Sequence, residues 1–221
     1  PTLGMASREL HALAATLGVR LRLHGFASTA EALADADWRR IAAACHGAPV
    51  VNASFALHHI ADDAEGNDQR TAVLRRLHAL QPRCLVLSEP DVDHLEPRFL
   101  PRFRNCFAHF SAAFHVLDSA PMAQSERDAL KVGFFGREIS DVLGAPEALR
   151  TERHERAAAW AQRLRSAGFA LAPAIVVLPP SPLPTLAAVQ AGARVALMVR
   201  GEPLVAVMLA HPAAPDAAPR A

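Results

Sequence analysis

Two short stretches of this chain carry side chains able to do acid–base chemistry. The first follows the apolar run Pro49-Val50-Val51 and reads Asn52-Ala53-Ser54-Phe55-Ala56-Leu57-His58-His59-Ile60. The second closes the run Cys84-Leu85-Val86-Leu87 with Ser88-Glu89-Pro90 and continues Asp91-Val92-Asp93-His94. A carboxylate in a crevice can orient an amine or hydroxyl nucleophile, and a histidine titrating near neutrality can take its proton. Glu89 is the best single candidate because it ends its run, with His58 and His94 as candidate bases. Plainer readings stand beside these. Asn52 and Ser54 also suit strand-end caps, the two histidines a helix start and an exposed position, and Glu89, Asp91, Asp93 and His94 a solvated loop. His58 and His59 are adjacent and point different ways, and no second ligand stands at useful spacing, so no metal site is expected. Asn52-Ala53-Ser54 also spells a glycosylation acceptor, which a buried strand in a reducing compartment does not use.

For these residues to meet, two strand ends must lie side by side. Residues 49–55 and 84–89 read as buried strands of a parallel sheet. Between them Asp68 can cap a helix with Val73, Leu74, Leu77 and Leu80 on one face, stopped by Pro82. Strand, helix and strand form a βαβ unit, so the spacing predicts parallel strands. Upstream, residues 7–17 read as a helix and 19–23 as an alternating strand. A further helix is expected to start at Ser28 or Thr29 and run to about Ala44. Downstream, Phe99, Phe103, Phe107, Phe110 and Phe114 recur at helical spacing within 97–117. That stripe reads as core, or as the wall of a hydrophobic pocket at the sheet edge. Residues 125–143 and 147–167 read as helices, with Arg137-Glu138 and the charged run Arg150–Arg156 as surface ion pairs. Phe169–Pro173 is a brief strand and 179–184 a proline-rich connection. Residues 193–200 and 203–210 form an antiparallel hairpin around Gly201-Glu202, and 212–221 read as a disordered tail.

Composition narrows the classes. The chain has 221 residues, 51% hydrophobic and 20% charged, enough for one domain over residues 1–211 with a buried core. A formal charge of +1 gives no net field for nucleic acid or an anionic membrane, and Lys131 is the only lysine. Three cysteines, Cys45, Cys84 and Cys106, are dispersed and odd in number, which suits a reducing, cytoplasmic setting. No apolar run approaches the roughly 20 residues of a membrane helix. The chain opens Pro1-Thr2-Leu3, and its natural start is expected to lie upstream.

The order of features from Val50 to Pro90 resembles the fourth and fifth strands of class I S-adenosylmethionine-dependent methyltransferases, except at Arg83, where that superfamily usually has two glycines. A narrower resemblance covers residues 7–210. VVNASFALHHI, LVLSEPDVDHLEPRFLPRF, FFGREISDVL, ERHERAAAWAQRLRSAGF and MVRGEPLVAVMLA together look like the GRAS family. The resemblance implies an α/β fold, a Rossmann-like methyltransferase-type sheet of parallel strands ending in an antiparallel hairpin, with its first strands missing. It implies a bacterial member, a group held to be enzymes or small-molecule binders, and methyl transfer from S-adenosylmethionine to a small molecule. On that reading Phe26, Asn52 and Ser54 hold the cofactor, His58, Glu89 and His94 are catalytic, and His59, Asp91, Asp93, Phe103 and Arg137 meet the substrate. The arginine- and alanine-rich composition suits a bacterial source. The alternative it implies is a non-enzymatic transcriptional regulator or protein-interaction domain, as plant members are. The superfamily's glycine-rich turn is absent, and the family's closing Ser-Ala-Trp is replaced by Val207-Met208-Leu209-Ala210.

Overall fold

The computed structural model describes residues 2–63, 65–173, 181, 183 and 185–213. Helix α1 (Leu3–Thr16) starts at Thr2, whose side chain accepts from the Met5 N–H, and it contributes no buried residue. Helix α2 is Asp35–Ala44, with Asp35 and Asp37 in its first turn, where they complement the helix dipole. It begins later than Ser28 or Thr29. Residues 19–26 form neither helix nor strand. Their alternation is genuine, but a strand needs a ladder partner to hold its backbone, and none is present among the described residues.

The centre follows the sequence more closely. Strand β1 (Val50–Ser54) leads into a 3₁₀ turn, Leu57–His59. Helix α3 (Gln69–Ala79) is capped by Asp68, which accepts from the Thr71 N–H. Strand β2 is Cys84–Pro90, followed by α4 (Phe99–Ser119). The stretch expected to be helical over 125–143 is α5 (Gln124–Asp128), a π-helical turn (Ala129–Phe135) and α6 (Gly136–Gly144). The helix expected over 147–167 is only partly so: a 3₁₀ turn at Glu147–Leu149 and α7 at Ala157–Ser166 flank an extended run, residues 150–156. Strands β3 (Phe169–Leu171), β4 (Ala187–Ala191), β5 (Arg194–Val199) and β6 (Glu202–Pro212) complete the described elements.

One sheet runs β1-β2-β6-β5-β4, and β3 also pairs with β6. Among the described residues only β1 and β2 are parallel; β2–β6, β3–β6, β4–β5 and β5–β6 are antiparallel. The fold is therefore mixed α/β with a mostly antiparallel sheet, a correction to the parallel sheet expected. A single βαβ crossover supplies a single parallel pair, and the later strands join through tight turns. The β5–β6 hairpin turns at Arg200 (φ 51) and Gly201 (φ 86), both left-handed as a primed two-residue turn requires. Strand β4, not foreseen in the sequence, adds to β5. Of the proline-rich connection only Ser181 and Leu183 are described, and the expected tail lies outside the described residues from 214 onward, Pro212 itself ending β6.

Helices α3 and α7 cover one face of the sheet. Leu74, Leu85, Leu87, Trp160, Leu164 and Phe169 fill that core. Helix α4 covers the other face through Ala112, packed with Val199 and Leu204, and carries α6 on its far side through Cys106, Phe110 and Val142.

Candidate functional site

The period of β2 builds the site. Leu85, Leu87 and Glu89 alternate onto one buried face, so a carboxylate follows two core leucines into the protein. A buried charge must find partners or lose its proton. The parallel register Ser54↔Ser88 places the end of β1 beside it. Phe55 then takes a left-handed backbone (φ 49), a conformation that costs a bulky residue energy, and its N–H donates to Ser88 O at 2.8 Å. This reversal points the N–H groups of Ala56 and Leu57 at Glu89 Oε1, at 3.2 and 2.9 Å, while His58 Nδ1 meets Glu89 Oε2 at 2.5 Å. The two strand ends identified in the sequence thus share one rim.

The other half of the site comes from residues 150–156. Backbone bonds from Arg153 N to His58 O and from His94 N to His154 O, both 3.1 Å, hold this run extended. Asp141 of α6 accepts from the N–H groups of Thr151 and Glu152 at 2.9 and 2.7 Å. Glu152 Oε2 then lies 3.3 Å from both His58 Nε2 and His154 Nε2. His154 Nδ1 is hydrogen-bonded to His94 Nδ1 at 2.7 Å, and His94 stacks on Phe110. Flanking charges are paired: Arg163 grips Glu155 at 2.7 and 2.8 Å, and Arg150 and Arg153 hold Glu147.

These neighbours set the ionisation. Burial alone would lower the His58 pKa, but the Glu152 and Glu89 carboxylates outweigh it and raise it to about 9. Burial would raise Glu152, yet the His154 and His58 imidazoles beside it pull it well below the usual carboxylate range. Burial, with His154 and His109 nearby, depresses His94. Burial also pushes Glu138 up to about 7, helped by Glu152. The two carboxylates thus favour the charged form of His58, while burial favours the neutral forms of His94 and His109.

Beside the cluster is a cavity of about 430 Å³, lined by Phe55, His58, His59, His109, Phe134, Glu138 and His154 among others. Its wall is mostly apolar with a few convergent polar groups, the usual character of a small-molecule site. Of the expected site residues, His58 and His59 line it, and Glu89 supports His58 from behind. His94 sits one histidine further back, joined through His154.

The others are placed elsewhere, which corrects the single crevice imagined for all of them. Asp91 is buried, accepts from the Ala157 N–H at 2.9 Å and so caps α7. Asp93 accepts from the N–H groups of Leu95 and Glu96, closing a turn. Phe103 lines a separate groove between α4 and α6, and Arg137 is exposed while its neighbour Glu138 faces the cavity. Asn52 and Ser54 are exposed on edge strand β1, bonded to one another at 3.1 Å. Phe26 lies under the Arg40 guanidinium in a different hollow. Phe26 is thus set apart from Asn52 and Ser54.

Sequence reasoning missed Glu152, His154 and Glu138 as site residues. Six charged or histidine side chains in seven positions resemble a solvated helix face, yet Arg150, Glu152, Arg153, His154 and Glu155 are all buried. The available signal was that no apolar helical face begins before Ala157. The ligating atoms of His58, Glu152 and His154 lie within 4.8 Å of one another, a donor set that spacing along the chain does not reveal. No described helix is long and apolar enough to cross a membrane.

A family model described as the GRAS domain family matches residues 2–175. The chain is 36% identical over 125 residues to GRAS family protein RAD1 of Lotus japonicus, covering 56% of this chain and 24% of that protein. It is 32% identical over 122 residues to Scarecrow-like protein 1 of Arabidopsis thaliana, covering 54% and 21%. Against DELLA protein GAIP of Cucurbita maxima it is 28% identical over 161 residues, covering 73% and 27%. The chain thus spans about a quarter of the length of the curated relatives it matches. Among solved structures, that of SCL7 in Oryza sativa matches with a TM-score of 0.71 at 22% identity, covering 95% of this chain and 60% of that one, and so shares its fold.

Proposed function

Because the chain belongs to the GRAS domain family, we propose that it is a non-enzymatic regulatory domain that acts in transcription through contacts with other proteins. The observation that carries this reading is the set of relatives: plant GRAS, Scarecrow-like and DELLA proteins. None of these names denotes a methyltransferase or a bacterial protein. That finding overturns the expected methyl transfer and the expected bacterial source. The surface supports contact with proteins as well. Phe99, Phe103 and Phe107 of α4 are 57%, 40% and 66% exposed, a run of aromatic surface that a monomer seldom displays without use. For the fold, we read the parallel β1–β2 pair beside antiparallel β6 as the edge of a Rossmann-like sheet. On this view the buried cluster organises the rim of the sheet.

The test is a tethering assay. The chain, fused to an unrelated DNA-binding domain, is expected to change transcription of a reporter carrying that domain's sites, relative to the DNA-binding domain alone. A fusion that is folded by circular dichroism and leaves the reporter unchanged would contradict the reading.

A further inference from the structure

We propose that His58 Nε2, Glu152 Oε2 and His154 Nε2 bind one divalent transition-metal ion of the zinc class, with Glu89 as the positioning residue for His58. The spacing carries the argument first. A tetrahedral zinc with bonds of about 2.0–2.1 Å sets its ligands about 3.3–3.4 Å apart. Glu152 Oε2 is 3.3 Å from each imidazole nitrogen. All three atoms fall within 4.8 Å of one another, and all three residues are buried.

The second observation is independent of spacing. Glu152 Oε2 is buried, on a side chain only 10% exposed, and has no aligned hydrogen bond despite its two close neighbours. A carboxylate oxygen in that position leaves a strong acceptor unsatisfied, at a cost that a cation removes. The shell behind the donors has the corresponding form. Glu89 engages His58 Nδ1, which leaves Nε2 to face Glu152, the carboxylate–histidine arrangement that orients zinc ligands. His94 engages His154 Nδ1 in the same way. Two imidazoles and one carboxylate select zinc-like ions over magnesium or calcium, which prefer oxygen. His58 and His154 also line the cavity, which leaves room for water or a donor from a bound molecule as fourth ligand. The ion would tie the turn after β1 to the extended run before α7.

The experiment is a titration of the chelator-stripped full chain with Co²⁺, followed by displacement with Zn²⁺. The expected result is one equivalent of Co²⁺ with the intense visible absorption of a tetrahedral site, lost when Zn²⁺ is added. Glu152→Gln and His154→Gln weaken binding by at least about 100-fold, and Glu89→Gln by about 10–100-fold. His46→Ala, which changes an exposed histidine outside the cluster, leaves binding unchanged. Circular dichroism establishes that each variant is folded, and the titration of the unaltered chain decides the matter if one is not. Absence of a tetrahedral spectrum in that chain, or a spectrum that folded Glu152→Gln and His154→Gln both retain, would overturn the proposal.

Discussion

Glu152 Oε2 lies 3.3 Å from His58 Nε2, although one residue precedes α7 and the other follows β1. The contact joins the rim of the sheet to a segment whose own sequence has no apolar face to anchor it. Glu152→Gln keeps the shape and removes the charge, leaving His58 and His154 facing a neutral amide. In the presence of chelator we expect the variant to lose about 2–4 kcal/mol of stability in urea unfolding. Arg137→Gln, on the exposed side of α6, should change it by less than about 0.5 kcal/mol.

Glu138 provides a pH test from the cavity wall it shares with His58 and His154. It faces His58, His59, His109 and His154 across the cavity and feels the charge of Glu152. Burial, then Glu152, raises it to about 7, so the folded state favours the protonated form. Its favourable contribution is complete below the ordinary carboxylate pKa and is lost as the pH rises through about 7. Glu138→Gln mimics the protonated state. It should gain about 1–2 kcal/mol over the parent at about pH 8, allowing for solvent screening, and nothing at about pH 4. Urea midpoints at the two pH values check this.

Phe55 holds a left-handed backbone at the point where β1 hands over to the Glu89-binding turn. Glycine takes that conformation freely, and a β-branched residue resists it. Phe55→Gly should therefore be more stable than Phe55→Val by about 1–2 kcal/mol in thermal or urea unfolding.

The phenylalanines of α4 divide by position. Arg102, Cys106 and Phe110, four apart, are buried, and Phe103 and Phe107 stand one residue round from them, about 100°. Phe110→Ala should cost about 3–5 kcal/mol, and Phe103→Ser less than about 0.5 kcal/mol. Equilibrium unfolding of the two variants separates the buried side from the exposed one.

What the sequence revealed follows from how each element is held. The strands ending at Phe55 and Glu89, the Asp68 cap and the final hairpin are fixed by local period and turn chemistry, and all could be read. Glu89 and His58 were found because each ends such an element. Glu152 and His154 were not, because an extended run held by backbone bonds to His58 and His94 takes its shape from partners distant in the chain. The same reasoning explains residues 19–23, where alternation without a ladder partner gave no strand. The aromatic stripe was read as one face, and its partial exposure depends on where α6 lies, which spacing does not state.

The cluster at the rim is one energetically coupled unit. A double-mutant cycle between His58→Gln and Glu89→Gln, read by urea unfolding with chelator present, measures this directly. We predict a coupling of at least about 1 kcal/mol. Effects that add to within about 0.3–0.5 kcal/mol would show two independent side chains and contradict the account.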